Sequence, residues 1–282
     1  MESGTSDQLQ LADGRLLAWT RWGPPDGRPV LFCTGAGASG TLGFGSDVLP
    51  RLGLQLLSID RPGLGRSSPH PAKTLDTWVA DVRELVARLS LTNPMAVGFS
   101  QGSVFAAALA GAEVVTAAAL VSGQDDLTAQ RELLPAEVAA LLDAAARDPD
   151  VFEQEIARTA SADWLWRLVI DTSAEVDRRV YLADGFGARF RQALDEGFAQ
   201  GPAGYARDLV NALGPWPQPP ERIAVPVELW YGALDTSPVH SPDHGRTLAR
   251  RFPNCHHRLL GSEGGSLLWT RSAEILTALR DR

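Results

Sequence analysis

The chain has 282 residues, a length that suits one large domain or one domain carrying an insertion. Its 44% hydrophobic and 21% charged residues are ordinary for a globular protein with a sizeable core. The formal net charge of −8 favours solubility and argues against nucleic acid or acidic membranes as partners.

Targeting and cysteine signals are also lacking. The first ten residues have neither a basic start nor an apolar segment, so we expect no signal peptide. No stretch approaches the 18 or so apolar residues that a membrane-spanning helix needs. Cys33 and Cys255 form neither a disulfide framework nor metal-ligand spacing. We therefore expect a cytoplasmic protein without metal or cofactor.

The first third of the chain alternates short apolar segments with helical ones. Apolar runs bounded by glycine, proline or turns predict strands at residues 16–22, 29–35, 54–60, 95–99 and 117–123. Residues 74–89 have apolar side chains at helical spacing, and residues 101–112 are rich in alanine, as a helix packed closely on a sheet requires. Such alternation predicts right-handed crossovers and a parallel sheet covered on both faces.

The middle of the chain changes character. Residues 127–221 show helical patterns, at 134–145, 171–181 and 188–198, and no convincing strand. The strand and helix alternation then resumes, with strands at 225–231 and 256–260 and helices at 242–251 and 266–279. We interpret residues 1–126 and 222–282 as one α/β core and residues 127–221 as a helical insertion.

A Gly-x-Ser-x-Gly sequence, Gly98-Phe99-Ser100-Gln101-Gly102, lies where a buried strand meets the alanine-rich helix. This context makes the motif informative, because a tight turn between strand and helix presents the serine hydroxyl at the carboxyl edge of the sheet. The N–H of Gln101, at the start of the helix, would then face a developing oxyanion. The alternative is a glycine-flanked surface turn, which would not need an apolar strand before it.

With this elbow, the sequence resembles the α/β-hydrolase fold superfamily over nearly its whole length. Residues 35–39, Gly-Ala-Gly-Ala-Ser, are similar to the oxyanion loop of that family, with Thr34 where histidine is usual. Residues 60–67, Asp-Arg-Pro-Gly-Leu-Gly-Arg-Ser, match a segment common in its members. The resemblance implies a mostly parallel eight-stranded sheet with helices on both faces, and Ala36 as the second oxyanion donor.

The same resemblance implies that the insertion is a cap over the active site. Its aromatic residues are candidates to line a substrate pocket, although each could equally belong to the core of the cap: Trp164, Trp166, Phe186 and Tyr205.

Asp235 is the main candidate for the catalytic acid. It lies in the turn after the strand at 225–231, where the family has the aspartate that orients the catalytic histidine. The chain order serine, acid, base also fits that family. Asp125 or Asp126, after the strand at 117–123, is the alternative position used by some members. Either aspartate could instead cap the helix after its strand.

The catalytic histidine of the family is missing from its usual loop. That loop reads Gly-Ser-Glu-Gly-Gly-Ser at residues 261–266, and Gly265 stands in the place of the histidine. The change matters because a serine hydroxyl needs an adjacent base to become a good nucleophile. Four of the five histidines fit poorly: His256 and His257 lie on the final strand, His70 lies on the wrong side of the serine, and His244 falls at a predicted helix start capped by Ser241.

His240 is the best substitute for the missing base. It lies five residues after Asp235, in a loop at the carboxyl edge of the sheet, where it could bridge the acid and Ser100. It could also be an ordinary loop histidine beside a helix start. Glu263, in the loop that lost its histidine, is a weaker candidate base.

Three functions remain open from the sequence. The first is hydrolysis of an ester, lactone or thioester of a small to medium apolar molecule by Ser100, His240 and Asp235. The second is non-hydrolytic chemistry in the same pocket, such as a cyclisation, elimination or decarboxylation, for which the lost histidine is the motive. The third is a fold of this type that binds a ligand without converting it. Labelling of Ser100 by a fluorophosphonate separates the first from the second.

Overall fold

The computed structural model describes residues 4–282, which form one eight-stranded sheet with helices on both faces and a helical region at the carboxyl edge of its strands. The strand order is β1-β2-β4-β3-β5-β6-β7-β8. In chain order the strands are β1 Thr5–Gln10, β2 Leu16–Trp22, β3 Arg28–Cys33, β4 Leu54–Ile59, β5 Met95–Phe99, β6 Ala118–Val121, β7 Val227–Gly232 and β8 Cys255–Leu260.

Strands β3 to β8 are parallel, whereas β2 pairs antiparallel with both β1 and β4. The central strands are buried along their whole length, because helices cover both faces and leave no room for a polar side. The predicted α/β class and the mostly parallel eight-stranded sheet are confirmed.

Two groups of core helices cover the sheet. One face packs against α2 (Leu75–Arg88), α3 (Gly102–Gly111) and α10 (Arg246–Arg251). The other face packs against α1 (Leu49–Leu52), α11 (Leu267–Thr270) and α12 (Ser272–Arg280). Helix α3 is buried on nearly all sides, which its alanine and glycine content permits, since small residues let a helix approach the sheet closely.

Between β6 and β7 the chain is helical. After a 3-10 helix at Leu127–Leu133, it forms α4 to α9, and a 3-10 helix at Pro220–Arg222 leads back to the core: α4 Ala136–Arg147, α5 Pro149–Thr159, α6 Ala162–Thr172, α7 Glu175–Tyr181, α8 Phe186–Gly197 and α9 Ala203–Leu213. These helices contribute most of the residues of two further apolar clusters, one of which also includes Ala38, Leu42 and Leu64 of the core, and we call this region the cap. The sequence analysis placed the insertion at residues 127–221 on the basis of its helical patterns, and these limits stay a prediction.

Several predicted elements differ in detail. Strand β1, with its alternating side chains, has no counterpart among the predicted strands. The single helix predicted over residues 171–181 is two helices, because α6 ends at Thr172 and α7 begins at Glu175. The last predicted helix, over residues 266–279, is divided at Arg271.

The helix predicted from residue 242 begins four residues later, at Arg246. His244 (φ 55°) and Gly245 (φ 78°) are left-handed, so the chain turns once more before the helix starts. The hydroxyl of Ser241 accepts the N–H of Gly245 and donates to Asp125, so it holds this turn and does not cap a helix that begins at Pro242.

Candidate active site

Ser100 lies in a strained turn between β5 and α3. Its φ of 52° is in the left-handed region, which is costly for a residue with a side chain and persists only where the surroundings impose it. Three backbone hydrogen bonds hold it there: the N–H of Ser100 donates to Val121 O (3.1 Å), and its carbonyl accepts from the N–H groups of Ser103 and Gln124 (both 3.0 Å).

The two glycines of the motif allow close approach of backbone. A Cβ on Gly98 would come within 2.6 Å of the Gly102 carbonyl oxygen and of Ser103 Cα. A Cβ on Gly102 would overlap the carbonyl oxygens of Cys33 and Thr34 at the end of β3. The missing side chains therefore bring the serine turn directly against the loop that follows β3.

His240 bridges Ser100 and Asp235. Its Nε2 lies 2.8 Å from Ser100 Oγ, and its Nδ1 lies 2.7 Å from Asp235 Oδ2. The imidazole and the carboxylate are both buried, at 9% and 4% side-chain exposure, so bulk water does not compete for these hydrogen bonds. The sequence-predicted serine, base and acid are thus brought together in one hydrogen-bonded chain.

The carboxyl of Asp235 is held in its ionised form. Burial alone would raise its pKa, but the charge of His240, the hydrogen bond from that ring and the N–H of Ser237 together keep the pKa below its ordinary value. When the ring is neutral, an Nδ1–H that donates to the ionised Asp235 leaves Nε2 with a lone pair toward Ser100.

The loop that lacks the family's histidine is occupied by a cap residue. Asp177, on α7, is buried and accepts hydrogen bonds from the N–H groups of Gly265 (3.0 Å) and Ser266 (2.8 Å). A Cβ on Gly264 would overlap the Asp177 carboxylate, and a Cβ on Gly265 would come within 2.9 Å of Asp235 Oδ1. A side chain at either glycine therefore requires the cap or the acid to move.

Four of the other candidate acids and bases, Asp125, Asp126, Glu263 and His257, are engaged elsewhere. Asp125 accepts from Ser241 Oγ (2.7 Å) and from the Gln130 side chain, and Asp126 pairs with an arginine at 2.7 Å. Glu263 contacts Thr270 and Arg271, so it is not directed at Ser100. His257 contacts the His244 carbonyl (2.7 Å).

A cavity of about 460 Å³ lies between the cap and the sheet, and Ser100 and His240 open into it. Ala36 and Gln101 line the same cavity. Most of the wall is apolar and comes from the cap, including Leu141, Leu165, Leu168, Val169, Leu209 and Leu213. Of the aromatic cap residues singled out in the sequence, Trp164 and Tyr205 line the cavity, whereas Trp166 and Phe186 pack in the core of the cap.

Sequence reasoning missed Asp177 and Asp208, the two buried cap carboxylates that contact the core. Asp177 lies in a predicted helix and Asp208 in a segment without a predicted element, and no motif marks either as different from a surface acid. Within residues 4–282 there is no group of three or more His, Cys, Asp or Glu side chains that could hold a metal ion. No helix in the same range has the length and apolar character that crossing a bilayer requires.

The fold and the serine turn define a protein of the α/β-hydrolase class. A family model described as the alpha/beta hydrolase fold matches residues 28–259, and the chain belongs to this family. A proline iminopeptidase of Arabidopsis thaliana is 31% identical over 111 residues, which is 38% of this chain and 29% of that protein. The chain thus spans about a third of the length of the curated relatives it matches.

Solved structures show the same fold over nearly the whole chain. A bromoperoxidase from Bacillus anthracis has a TM-score of 0.73 at 19% identity, and an esterase from Exiguobacterium antarcticum has a TM-score of 0.72 at 15% identity. In both comparisons 98% of this chain and 98% of the other are covered. At these identities the likeness concerns the fold alone.

Proposed function

We propose that this protein is a serine hydrolase that cleaves carboxylic esters, lactones or thioesters of small to medium apolar molecules. The observation that carries the proposal is the hydrogen-bonded chain Asp235–His240–Ser100, which opens into a mostly apolar cavity. A histidine hydrogen-bonded to Ser100 favours this proposal over the non-hydrolytic alternative, whose motive was the histidine lost from its usual loop.

In the proposed first half-reaction, Ser100 Oγ attacks the substrate carbonyl carbon as His240 Nε2 takes the hydroxyl proton. The carbonyl oxygen becomes negatively charged and accepts hydrogen bonds from the N–H groups of Ala36 and Gln101. Asp235 stabilises the imidazolium through Nδ1–H without itself becoming protonated. Collapse of the tetrahedral intermediate then breaks the bond to the leaving group, which receives the proton from Nε2.

In the second half-reaction, a water molecule takes the place of the leaving group. His240 Nε2 accepts one of its protons as the water oxygen attacks the acyl carbon, and the Ser100–acyl bond breaks with return of that proton to Oγ. The products are a carboxylic acid and free enzyme. The apolar cap residues would bind the acyl or alcohol group by burial, since they offer few hydrogen bonds.

The proposal is tested by covalent labelling together with turnover. We expect an alkyl fluorophosphonate to label the wild-type protein on Ser100, and p-nitrophenyl butyrate to be hydrolysed with a burst of p-nitrophenol if deacylation is slower than acylation. Mass spectrometry of the labelled peptide locates the modification. The proposed activity would be rejected if Ser100 is not labelled and no p-nitrophenyl ester from acetate to octanoate is hydrolysed.

The charge of the cavity predicts which esters react. The acidic residues Glu137, Asp177 and Asp235 line it, and no lysine or arginine does so among the described residues. An anionic acyl group would be buried beside these carboxylates without a cation. We expect kcat/KM for mono-p-nitrophenyl succinate to be at least about 30-fold below that for p-nitrophenyl butyrate, or about 2 kcal/mol.

The methyl ester of the same succinate is the size-matched neutral control, and it should react within about fivefold of the butyrate. Equal kcat/KM values for the anionic and neutral esters would contradict this prediction. Slow reaction of both succinates would assign the difference to size and not to charge.

A further inference from the structure

Arg61, in the segment 60–67 that follows β4, is fully buried and contacts the loop after β3. We propose that Arg61 is a positioning residue for the oxyanion hole and that Asp208 of the cap holds it in place. The inference rests on the proposed function, because it concerns the two N–H groups assigned there to the oxyanion.

The guanidinium fixes one of these donors through its own peptide plane. Arg61 Nη2 donates to the Gly35 carbonyl (3.0 Å) and Nη1 donates to the Thr34 carbonyl (2.6 Å). The Gly35 carbonyl and the Ala36 N–H belong to one planar peptide and point in opposite directions. A hydrogen bond that fixes the direction of the carbonyl therefore fixes the direction of the N–H.

The same contact strengthens the donor. A charged guanidinium on the carbonyl oxygen polarises the peptide, and in a buried site this polarisation is little screened. Arg61 Nη2 also lies 3.4 Å from Gln101 Oε1, on the residue that supplies the second proposed donor. One side chain thus contacts both segments of the proposed oxyanion hole.

Asp208, on α9, holds Arg61 from the cap. Its Oδ2 accepts from Arg61 Nε (2.7 Å), and its Oδ1 lies 2.6 Å from the ammonium of Lys73. The three side chains are fully buried. A buried ion cluster is weak evidence for stability, since apolar residues of similar volume often serve as well. Because this ion cluster lies against the oxyanion loop, we assign it a positioning role in addition to any effect on stability.

A second cap contact reaches the same loop. Glu196, on α8, accepts hydrogen bonds from Ser39 Oγ (2.8 Å) and Thr41 Oγ1 (2.6 Å). A Cβ on Gly197 would overlap the Gly37 carbonyl, so α8 lies directly on the loop. The cap and the oxyanion loop are therefore held as one unit, with Arg61 and Asp208 nearest the donor peptide.

The test is the pair of variants Arg61→Lys and Asp208→Asn. Lysine keeps the charge but cannot bind two carbonyls and a carboxylate as a planar fork does. We expect Arg61→Lys to lower kcat for p-nitrophenyl butyrate about 30- to 100-fold with KM changed less than about threefold, since loss of an oxyanion donor costs 10² to 10³. Asp208→Asn, which changes one atom, should lower kcat about tenfold.

Two further measurements separate positioning from simple loss of stability. The inhibition constant of a trifluoromethyl ketone, whose adduct carries the oxyanion, should rise by the same factor as kcat/KM falls, whereas that of butyrate should not change. The matched control is Arg15→Lys, because Arg15 forms a comparable forked pair with Asp81 (2.6 and 2.7 Å) outside the cavity wall. It should lower the melting temperature and leave kcat within about twofold.

The inference is overturned if Arg61→Lys folds and keeps kcat within threefold, or if kcat falls while the ketone still binds as it does to the wild type. If Arg61→Lys does not fold, the test rests on Asp208→Asn, for which kcat and the inhibition constant of the ketone are again compared with the wild-type values. Failure of both to fold assigns the cluster to stability alone and also overturns the inference. A wild type without esterase activity or Ser100 labelling would instead reject the proposed function.

Discussion

Replacing His240 with alanine is expected to lower kcat for p-nitrophenyl butyrate by about 10⁵- to 10⁶-fold. His240 contacts both Ser100 Oγ and Asp235 Oδ2, so its loss removes the group that would take the serine proton and isolates the acid. In subtilisin, loss of the triad histidine alone costs about 10⁶ in kcat, and the oxyanion hole retains about 10³ to 10⁴ over water. Initial rates at high enzyme concentration measure the remaining activity.

The matched control for this variant is His256→Ala. His256 is an exposed residue on β8, so its removal should change kcat by less than about twofold. Full activity of His240→Ala would show that another group is the base.

Returning a histidine to the usual loop should not rescue the His240→Ala variant. In the double variant His240→Ala with Gly265→His, the new Cβ would meet the Asp235 carboxylate, and Asp177 already binds the N–H of residue 265. We expect kcat to stay within about tenfold of the His240→Ala value. Recovery to near wild-type activity would mean that the loop and the cap adapt to the side chain, contrary to this expectation.

Replacing Ser100 with alanine is expected to abolish covalent labelling and to lower kcat by about 10⁶-fold. Within residues 4–282, Ser100 supplies the only hydroxyl that is hydrogen-bonded to His240 Nε2. Alanine keeps the Cβ and removes only the nucleophile. The substitution should also leave the melting temperature within a few degrees, since the positive φ of this position is unfavourable for both residues.

The double variant Ser100→Ala with His240→Ala gives a sharper result. If the two residues act as one unit, the double variant should be no slower than either single variant. Losses that multiply would indicate independent roles, which is incompatible with a proton passing from Ser100 to His240. Ser103→Ala is a control on the helix that follows Ser100, because the Ser103 hydroxyl donates to the Gly98 carbonyl inside the core, and this variant should retain most of the activity.

The sequence by itself determined the fold and the position of the serine. Mostly apolar strands that alternate with helices allow few arrangements, and the glycines of the motif are needed at the turn because a Cβ would overlap neighbouring backbone. These signals are local, so they can be read without the tertiary structure. Strand β1 was not predicted from the sequence, because an edge strand with polar, exposed positions lacks an apolar run.

Only the tertiary structure decided which groups surround the serine. His240 follows β7, and Ser100 follows β5, 140 residues earlier, so their 2.8 Å separation depends on the order of strands in the sheet and on the turn at residues 235–245. Spacing from Asp235 made His240 a candidate but could not choose it over an ordinary loop histidine. The contacts of Asp177 and Asp208 with the core had no local signal at all, because an acid on a helix looks the same in sequence whether it faces water or a buried partner.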